Sequence, residues 1–314
     1  MAADPVPMPV PTTEHAAVRD PAIRATRTPS PKGVRWFKEL GWRYLVALLA
    51  VAFALMPAYF VVLASVSPTA TLQGSQLLPR EVTTANYTRL FEVTPFWTWL
   101  GNSLKIAGGA AIANMMLSAM AAYAFSRLRF VGRRVGLLTI LLVQMFPQLL
   151  ANVAIFLFLV NVRGYFPAIG FGTQLGLFLV YLGGALGTNT WLMKGFFDTV
   201  PTDLDESARV DGATHGQIFV RIILPLSAPI LVVAGLLSFI FLFNEFILAS
   251  ILLGQEDANQ TLATGLYRFI DQNYGQQWGP FAAGALIGSL PTLLLFLFGQ
   301  RWIVSGLTSG SVKG

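Results

Sequence analysis

The sequence predicts an all-α polytopic membrane protein of six transmembrane helices, with a helix–turn–helix elbow on its cytoplasmic side. Three observations carry that prediction. Of the 314 residues, 54% are hydrophobic and only 11% are charged, against roughly 25% charged in an average soluble domain. Six apolar runs are each long enough to cross a bilayer, for which about 20 residues suffice. A polar, acidic, helix-forming island, VPTDLDESARVDGATHGQIFVRIILP from Val200 to Pro225, separates the fourth run from the fifth.

In chain order, the first 31 residues hold seven prolines and no apolar periodicity. They predict a disordered tail, not a signal peptide, since no apolar core precedes a small-residue cleavage site. The six runs are placed near 44–66, 103–125, 135–160, 174–197, 226–253 and 280–303. With six spans both termini face one side. That side carries sixteen of the 21 basic residues, among them Arg127, Arg129, Arg133 and Arg134; the other carries Arg80, Arg89, Lys105, Arg163 and Arg268. Positive residues accumulate in cytoplasmic loops, so the elbow and both termini are expected in the cytoplasm. The net charge of +6 is thereby a topology signal rather than a nucleic-acid patch. The expected organisation is a disordered cytoplasmic tail over 1–40, a six-span domain over 41–305 with its elbow at 200–225, and a cytoplasmic tail over 306–314.

The spans carry packing and polar signals. Gly183 and Gly187, and Gly284 and Gly288, have small-xxx-small spacing suited to close helix approach. Pro57, Pro147 and Pro291 can kink their spans and free backbone groups. Gln144, Gln148 and Asn152 recur every fourth residue around Pro147 and are expected on one face, lining a pathway or bonding a neighbouring span. In the fifth run Asn244 and Glu245 stand within SFIFLFNEFILASILL. An acidic group near the bilayer centre costs roughly 2.5–3.5 kcal/mol on insertion scales. Two readings of Glu245 follow: it is tied to another span, or it serves the translocation path or its outer gate. Tyr267, Phe269, Tyr274 and Trp278, set among amides in the loop 254–279, suit stacking on a sugar or a protein partner, or an interfacial aromatic belt.

In the elbow, Thr202 and Asp205 form a candidate capping pair. Asp203, Asp205 and Glu206 suit the positive end of a helix, and Leu204 and Ala208 share a small apolar face. Gly212 stands where a left-handed C-terminal cap is needed before a second helix over 214–223, and Pro225 separates that helix from the fifth run.

Several function classes are excluded. There is no cysteine, and the two histidines are His15 and His215, so no disulfide, thiolate chemistry or clustered metal site is predicted, and no nucleophile–base pair for a membrane-embedded hydrolase. No G-x-x-x-x-G-K-[ST] sequence is present to cradle a nucleotide.

Glu206-Ser207-Ala208, three residues, Gly212, nine residues and Ile222-Ile223-Leu224-Pro225 resemble the EAA loop of bacterial ABC importer permeases, and Asp211-Gly212-Ala213 resembles its usual continuation. Ser207 departs from the family's Ala, a change small enough for docking to survive. From about residue 42 onward the chain is similar to MalG-type permease subunits of maltose and maltodextrin importers. The closing stretch from Trp278 carries much of that likeness, down to Gly306-Leu307-Thr308 and Val312-Lys313-Gly314. The resemblance implies the type I importer permease architecture and a non-catalytic subunit of the bacterial inner membrane. It implies a heterodimer with a MalF-like second permease, a homodimer of ATPase subunits that holds the ATP and Mg²⁺, and an extracytoplasmic sugar-binding protein. It places Glu206, Ser207, Ala208, Asp211, Gly212, Leu224 and Pro225 at the ATPase contact. The Asn244-Glu245 pair resembles that of other sugar-importer permeases and, with Gln144 and Gln148 from their spacing, is a candidate for the path or gate; the resemblance places Asn273, Tyr274, Gly275 and Gln276 in the loop that meets the binding protein. The C-terminal tail would reach between the ATPase subunits. Trehalose, another oligosaccharide or glycerol phosphate are alternative cargoes, although the last would call for cations near the path. An ion-coupled secondary transporter is a further alternative, without an evident inverted repeat to support it.

Overall fold

The computed structural model describes residues 40–68, 81–271 and 276–309, and all regular structure among them is helical. The helices are α1 (Trp42–Val66), α2 (Ala85–Val93), α3 (Phe96–Arg127), α4 (Arg133–Gln144), α5 (Gln148–Tyr165), α6 (Gln174–Phe197), α7 (Asp203–Val210), α8 (His215–Leu226), α9 (Ala228–Phe243), α10 (Ile247–Leu252), α11 (Leu262–Tyr267) and α12 (Trp278–Ser309). The chain divides into two compact units after Met56: the first holds the start of α1, and the second, from Pro57, holds every candidate site residue. Among the described residues four helices, α1, α3, α5 and α12, are long and apolar enough to span a membrane. The number rises to six if two bent pairs each count as a span: α6, bent by 44° at Gly184–Gly187, and α8–α9, bent by 79°.

α3 organises the second unit. At 1.5 Å per residue its 32 residues run about 48 Å, well beyond the ~30 Å hydrocarbon layer. Its buried positions are mostly small, with Ala107, Ala110, Ala111, Asn114, Ser118, Ala119 and Ala122 among them. Small side chains let helix backbones approach closely where water supplies no driving force, and α6 and α9 are packed along this stripe. Asn114 donates to the Tyr181 carbonyl of α6 at 3.1 Å, and Asn189 of α6 to Ser238 of α9 at 2.8 Å. Two apolar clusters lie along the helix. One gathers Trp99, Leu177, Phe239, Leu252, Leu262, Leu266 and Phe269; the other gathers Ala119, Ala122, Tyr123, Met193, Phe197, Ile218 and Ile223 at the elbow end.

Two runs expected to be continuous are broken. The third divides into α4 and α5 at Met145–Pro147, because Pro147 supplies no N–H and disfavours helical geometry in the residue before it. The fifth stops at Phe243 and resumes as α10, with Asn244, Glu245 and Phe246 between. Pro225 does not end the second elbow helix either. It sits inside α8 beside a π-helical turn, Phe219–Ile223, and the sharp bend follows at the buried Ser227.

The described part of the loop 254–279 is partly helical. It contains α11, opened by a Thr261–Thr264 capping box, whose Leu262 and Leu266 side chains lie against Gly288 and Gly284 of α12. A Cβ on either glycine would approach a leucine methyl to 2.4 Å, so the small-xxx-small spacing in α12 is a seat for α11. Phe269 is buried in the first cluster and offers no stacking surface, whereas Tyr267 is exposed.

Candidate functional site

The turn of the elbow forms as its residues dictate. Gly212 has φ +82°. Its N–H donates to the Arg209 carbonyl at 3.0 Å and that of Ala213 to the Ala208 carbonyl at 2.9 Å. This is the Schellman pair that ends α7. The second arm opens on a complete capping box, Thr214 Oγ1 accepting from Gln217 N and Gln217 Oε1 from Thr214 N. Thr202 departs from its expected role: its side chain makes no capping bond, and Asp205 is turned inward instead. Glu206, Ser207, Arg209, Val210, Asp211, Gly212 and Pro225 lie toward the surface, while Ala208 and Leu224 are half-buried against the second cluster. Of the expected apolar face, Leu204 is exposed and Ala208 faces the body of the protein.

Asp205 stands in the acidic first turn of α7 as expected, but its side chain is turned to a partner on α3 instead of to the helix end. Its carboxylate Oδ2 lies 2.8 Å from Arg127 Nε, with the two side chains only 3% and 6% exposed. The approach is off the N–H axis, and Asp205 Oδ1 has no hydrogen-bond partner among the described residues, so this is a buried ion pair more than a hydrogen bond. The other end of the Arg127 guanidinium donates to the Val200 carbonyl at 2.7 Å. One turn earlier on α3, the Tyr123 hydroxyl donates to the His215 carbonyl at 3.3 Å, and its ring packs 5.0 Å from that of Phe219. Beside them Ser126 donates to Asp198 at 2.6 Å, and Lys194 pairs with Asp198 at 2.5 Å. Burial pushes the Asp198 carboxyl up, but the bonds from Lys194 and Ser126 and the charges of Lys194 and Arg133 outweigh it and hold the group below its ordinary value. A basic cluster after a span reads as topology in sequence; nothing in its spacing reveals that Arg127 faces inward, toward a partner on a separate element.

The second polar site is the break between α9 and α10. Glu245 lies just ahead of α10. Its carboxylate accepts the N–H groups of Leu248 at 2.7 Å and Ala249 at 3.0 Å, and the Tyr181 hydroxyl of α6 at 2.7 Å. It thus caps a helix from within an apolar run and ties that break to another span. Asn244 is exposed and donates to the Ile240 carbonyl at 2.8 Å. The break borders a cavity of about 300 Å³ lined by Phe243, Asn244, Phe246, Tyr267, Phe281 and Ser289, among others.

Gln144 and Gln148 do not share a continuous helical face, because the Pro147 break lies between them. Gln144 ends α4 and accepts from Thr188 of α6 at 3.0 Å, filling the space beside Gly187, whereas Gln148 opens α5 and points to Asn152 at 3.4 Å. Asn152 alone of the three is buried. Asn273, Tyr274 and Gly275 lie outside the described residues, as do 310–314 of the C-terminal tail and the first 39 positions. Gln276 is exposed with φ +46°.

Comparison with known proteins joins these features. Residues 114–308 match the family described as "Binding-protein-dependent transport system inner membrane component". Among curated proteins, the maltose/maltodextrin transport system permease protein MalG of Escherichia coli (strain K12) is 40% identical over 286 residues, 86% of this chain and 95% of that protein. The MalG of Salmonella typhimurium is 45% identical over 221 residues, 70% of this chain and 73% of that protein. Among solved structures, a chain of a bacterial ABC transporter involved in the import of the acidic polysaccharide alginate superposes with a TM-score of 0.70 at 22% identity, covering 86% of this chain and 99% of that one.

Proposed function

The chain belongs to the family of binding-protein-dependent transport system inner membrane components, and on that premise we propose that it is the translocation subunit of an ATP-driven importer of maltose or maltodextrin. The observation that carries the proposal is the elbow. Glu206, Ser207, Asp211 and Gly212 form an exposed projection, closed by a glycine cap and reopened by a capping box, on a chain whose sequence holds no nucleotide cradle. Such a projection fits a cleft in a separate ATPase. ATP binding and Mg²⁺ then belong to a homodimeric partner, and this chain does no hydrolysis. Closure of that pair displaces the elbow. Its rigid attachment to the spans converts the displacement into a rearrangement between inward- and outward-open states, each favoured by different contacts.

The rest of the assembly follows from the same reading. A MalF-like permease covers the remaining apolar faces, and a sugar-binding protein docks at the far end, against the segment 273–276. The positive-inside bias places both termini and the elbow in the cytoplasm. On that orientation the Glu245 break, with Asn244 and the neighbouring cavity, lies toward the outer end of the path, where an interruption within a span, tied to a neighbouring one, can act as a gate; Gln144 and Gln148 then mark the α4–α5 break beside the path. Maltose or maltodextrin is the favoured cargo on the strength of the MalG relatives.

The test is a gentle detergent pull-down of the tagged chain from native membranes, with partners identified by mass spectrometry. Recovery of an ATPase and a second multi-span permease is expected, with the ATPase lost when Glu206 and Gly212 are replaced by bulky basic residues. Recovery of the wild-type chain alone or as a homo-oligomer would overturn the proposal. Uptake of maltose, maltotriose, trehalose and glycerol phosphate by the recovered complex then decides the cargo.

A further inference from the structure

We propose that Arg127 is a positioning residue that makes α3 and the elbow one rigid body, so that displacement of the elbow is delivered to α3 and through it to α6 and α9. The inference rests on the coupling role of the elbow proposed above, and it concerns two residues, Arg127 and Asp205, outside the exposed surface offered there to the ATPase.

The geometry is that of a two-point grip. Tyr123 and Arg127 are four residues apart on α3 and therefore on one face of it. Tyr123 holds the second arm of the elbow through the His215 carbonyl and the Phe219 ring. Arg127 holds the first arm through Asp205 and the approach to it through the Val200 carbonyl. An elbow gripped at one arm could pivot; gripped at both, it moves with the helix. The same face of α3 carries Ala119 and Ala122, both fully buried with Ile218 and Ile223 of the elbow in the second cluster, so the grip lies over a packed apolar seat.

The chemistry of the pair gives it directionality. Asp205 Oδ1 is buried and makes no hydrogen bond among the described residues, so the cation of Arg127 is the compensation this carboxylate has at contact distance. Removing one partner of a buried pair leaves an uncompensated charge, which is far more disruptive than loss of a surface pair. The carboxylate then seeks water, and the way to water is for the first arm of the elbow to leave its seat. A neutral α3 terminus therefore frees α7 while leaving its exposed face intact. The expected phenotype is uncoupling: the ATPase still finds its partner and still turns over, but its closure moves a loose elbow.

The experiment uses the complete complex in proteoliposomes, measuring ATP hydrolysis and sugar uptake on the same preparation. A wild-type complex that lacks an ATPase or does not transport refutes the proposed function itself, before any variant is considered. Given a working wild type, Arg127→Gln and Asp205→Asn are each expected to lower sugar carried per ATP by about tenfold, within the range typical of energetic coupling between sites. Both should retain the ATPase in pull-down. Arg127→Lys, which keeps a cation opposite Asp205 without the fork to Val200, should recover part of the loss. Uptake and hydrolysis falling in proportion, or Lys behaving no better than Gln, would overturn the assignment.

A second measurement stands even if the variants do not assemble. The chain has no cysteine, so spin labels at Met120→Cys on α3 and Asp203→Cys on α7, both exposed positions and neither assigned to the ATPase contact, report one distance. That distance should be the same in nucleotide-free and ATP-trapped wild-type complexes, while distances across the permease change. A 120–203 distance that changes with nucleotide would show that the elbow and α3 are not one body.

Discussion

Glu245→Ala and Tyr181→Phe together form a test whose sign is fixed by geometry. In the wild type the Glu245 carboxylate accepts two α10 N–H groups and the Tyr181 hydroxyl, all within 3.0 Å. Tyr181 is nearly fully buried, so its hydroxyl has no access to bulk water once that acceptor is removed. Truncating Glu245 loses a helix cap, about 0.5–2 kcal/mol, and strands the buried hydroxyl, about 1–3 kcal/mol; together about 1.5–5 kcal/mol. Tyr181→Phe alone gives up one interhelical bond, about 0.6–1.7 kcal/mol in membrane proteins. In the Glu245→Ala background the same change removes the stranded group, so it should be neutral or stabilising there. The assay is reversible unfolding in mixed micelles titrated with SDS, read by circular dichroism on the four chains of the cycle. Tyr181→Phe costing the same in both backgrounds, within the ~0.3–0.5 kcal/mol expected of independent sites, would refute the linkage between α6 and the break.

Three further outcomes are expected. Gly212→Ala should destabilise by about 1–2 kcal/mol, the cost of an L side chain at positive φ. A Cβ there meets nothing within 4 Å, so Gly212→Asn, which tolerates that conformation, should keep wild-type stability; a coupling defect in that variant would report contact with the ATPase. Gly265→Ala drives a Cβ to 2.3 Å from the buried Trp99 ring, and overpacking of about 1–3 kcal/mol should appear as a lower melting temperature in detergent. Asp198 has a depressed pKa. Its contribution is therefore complete above the unfolded carboxyl value and is lost as pH falls through the lower folded one. The stability gap between wild type and Asp198→Asn should be open at neutral pH and close in strong acid, and a gap that persists there would contradict the assignment.

What could be read in the sequence divides by range. The Gly212 cap was legible because positive φ is a local demand that few residues meet, and α6 and α1 because long apolar runs announce themselves. Pro147 was legible as a possible kink, but not that it divides the run where Pro57 and Pro291 leave theirs continuous, and the break at Asn244–Phe246 was not placed, since hydropathy averages over an interruption flanked by apolar residues on both sides. Glu245 was marked as unusual by its charge, yet its role as a cap depends on where α10 begins. Leu262 and Leu266 meeting Gly288 and Gly284 was half legible, as a spacing without a partner. Arg127 was legible only as a charge: its pairing with Asp205 joins residues on separate elements, and the small buried stripe of α3 that brings them together has no periodic signature of its own.

The most direct test of the central claim, that this chain meets its ATPase through the elbow, is site-directed cross-linking. On the cysteine-free chain, single cysteines at Ser207 and Val210 of the exposed elbow face, and at Phe298 on the exposed face of α12, are treated with a short bifunctional reagent in membranes that transport maltodextrin. Ser207→Cys and Val210→Cys should give an adduct with the ATPase, and Phe298→Cys none. Transport-competent membranes in which neither elbow position cross-links to an ATPase, or in which Phe298→Cys does so equally well, would contradict it.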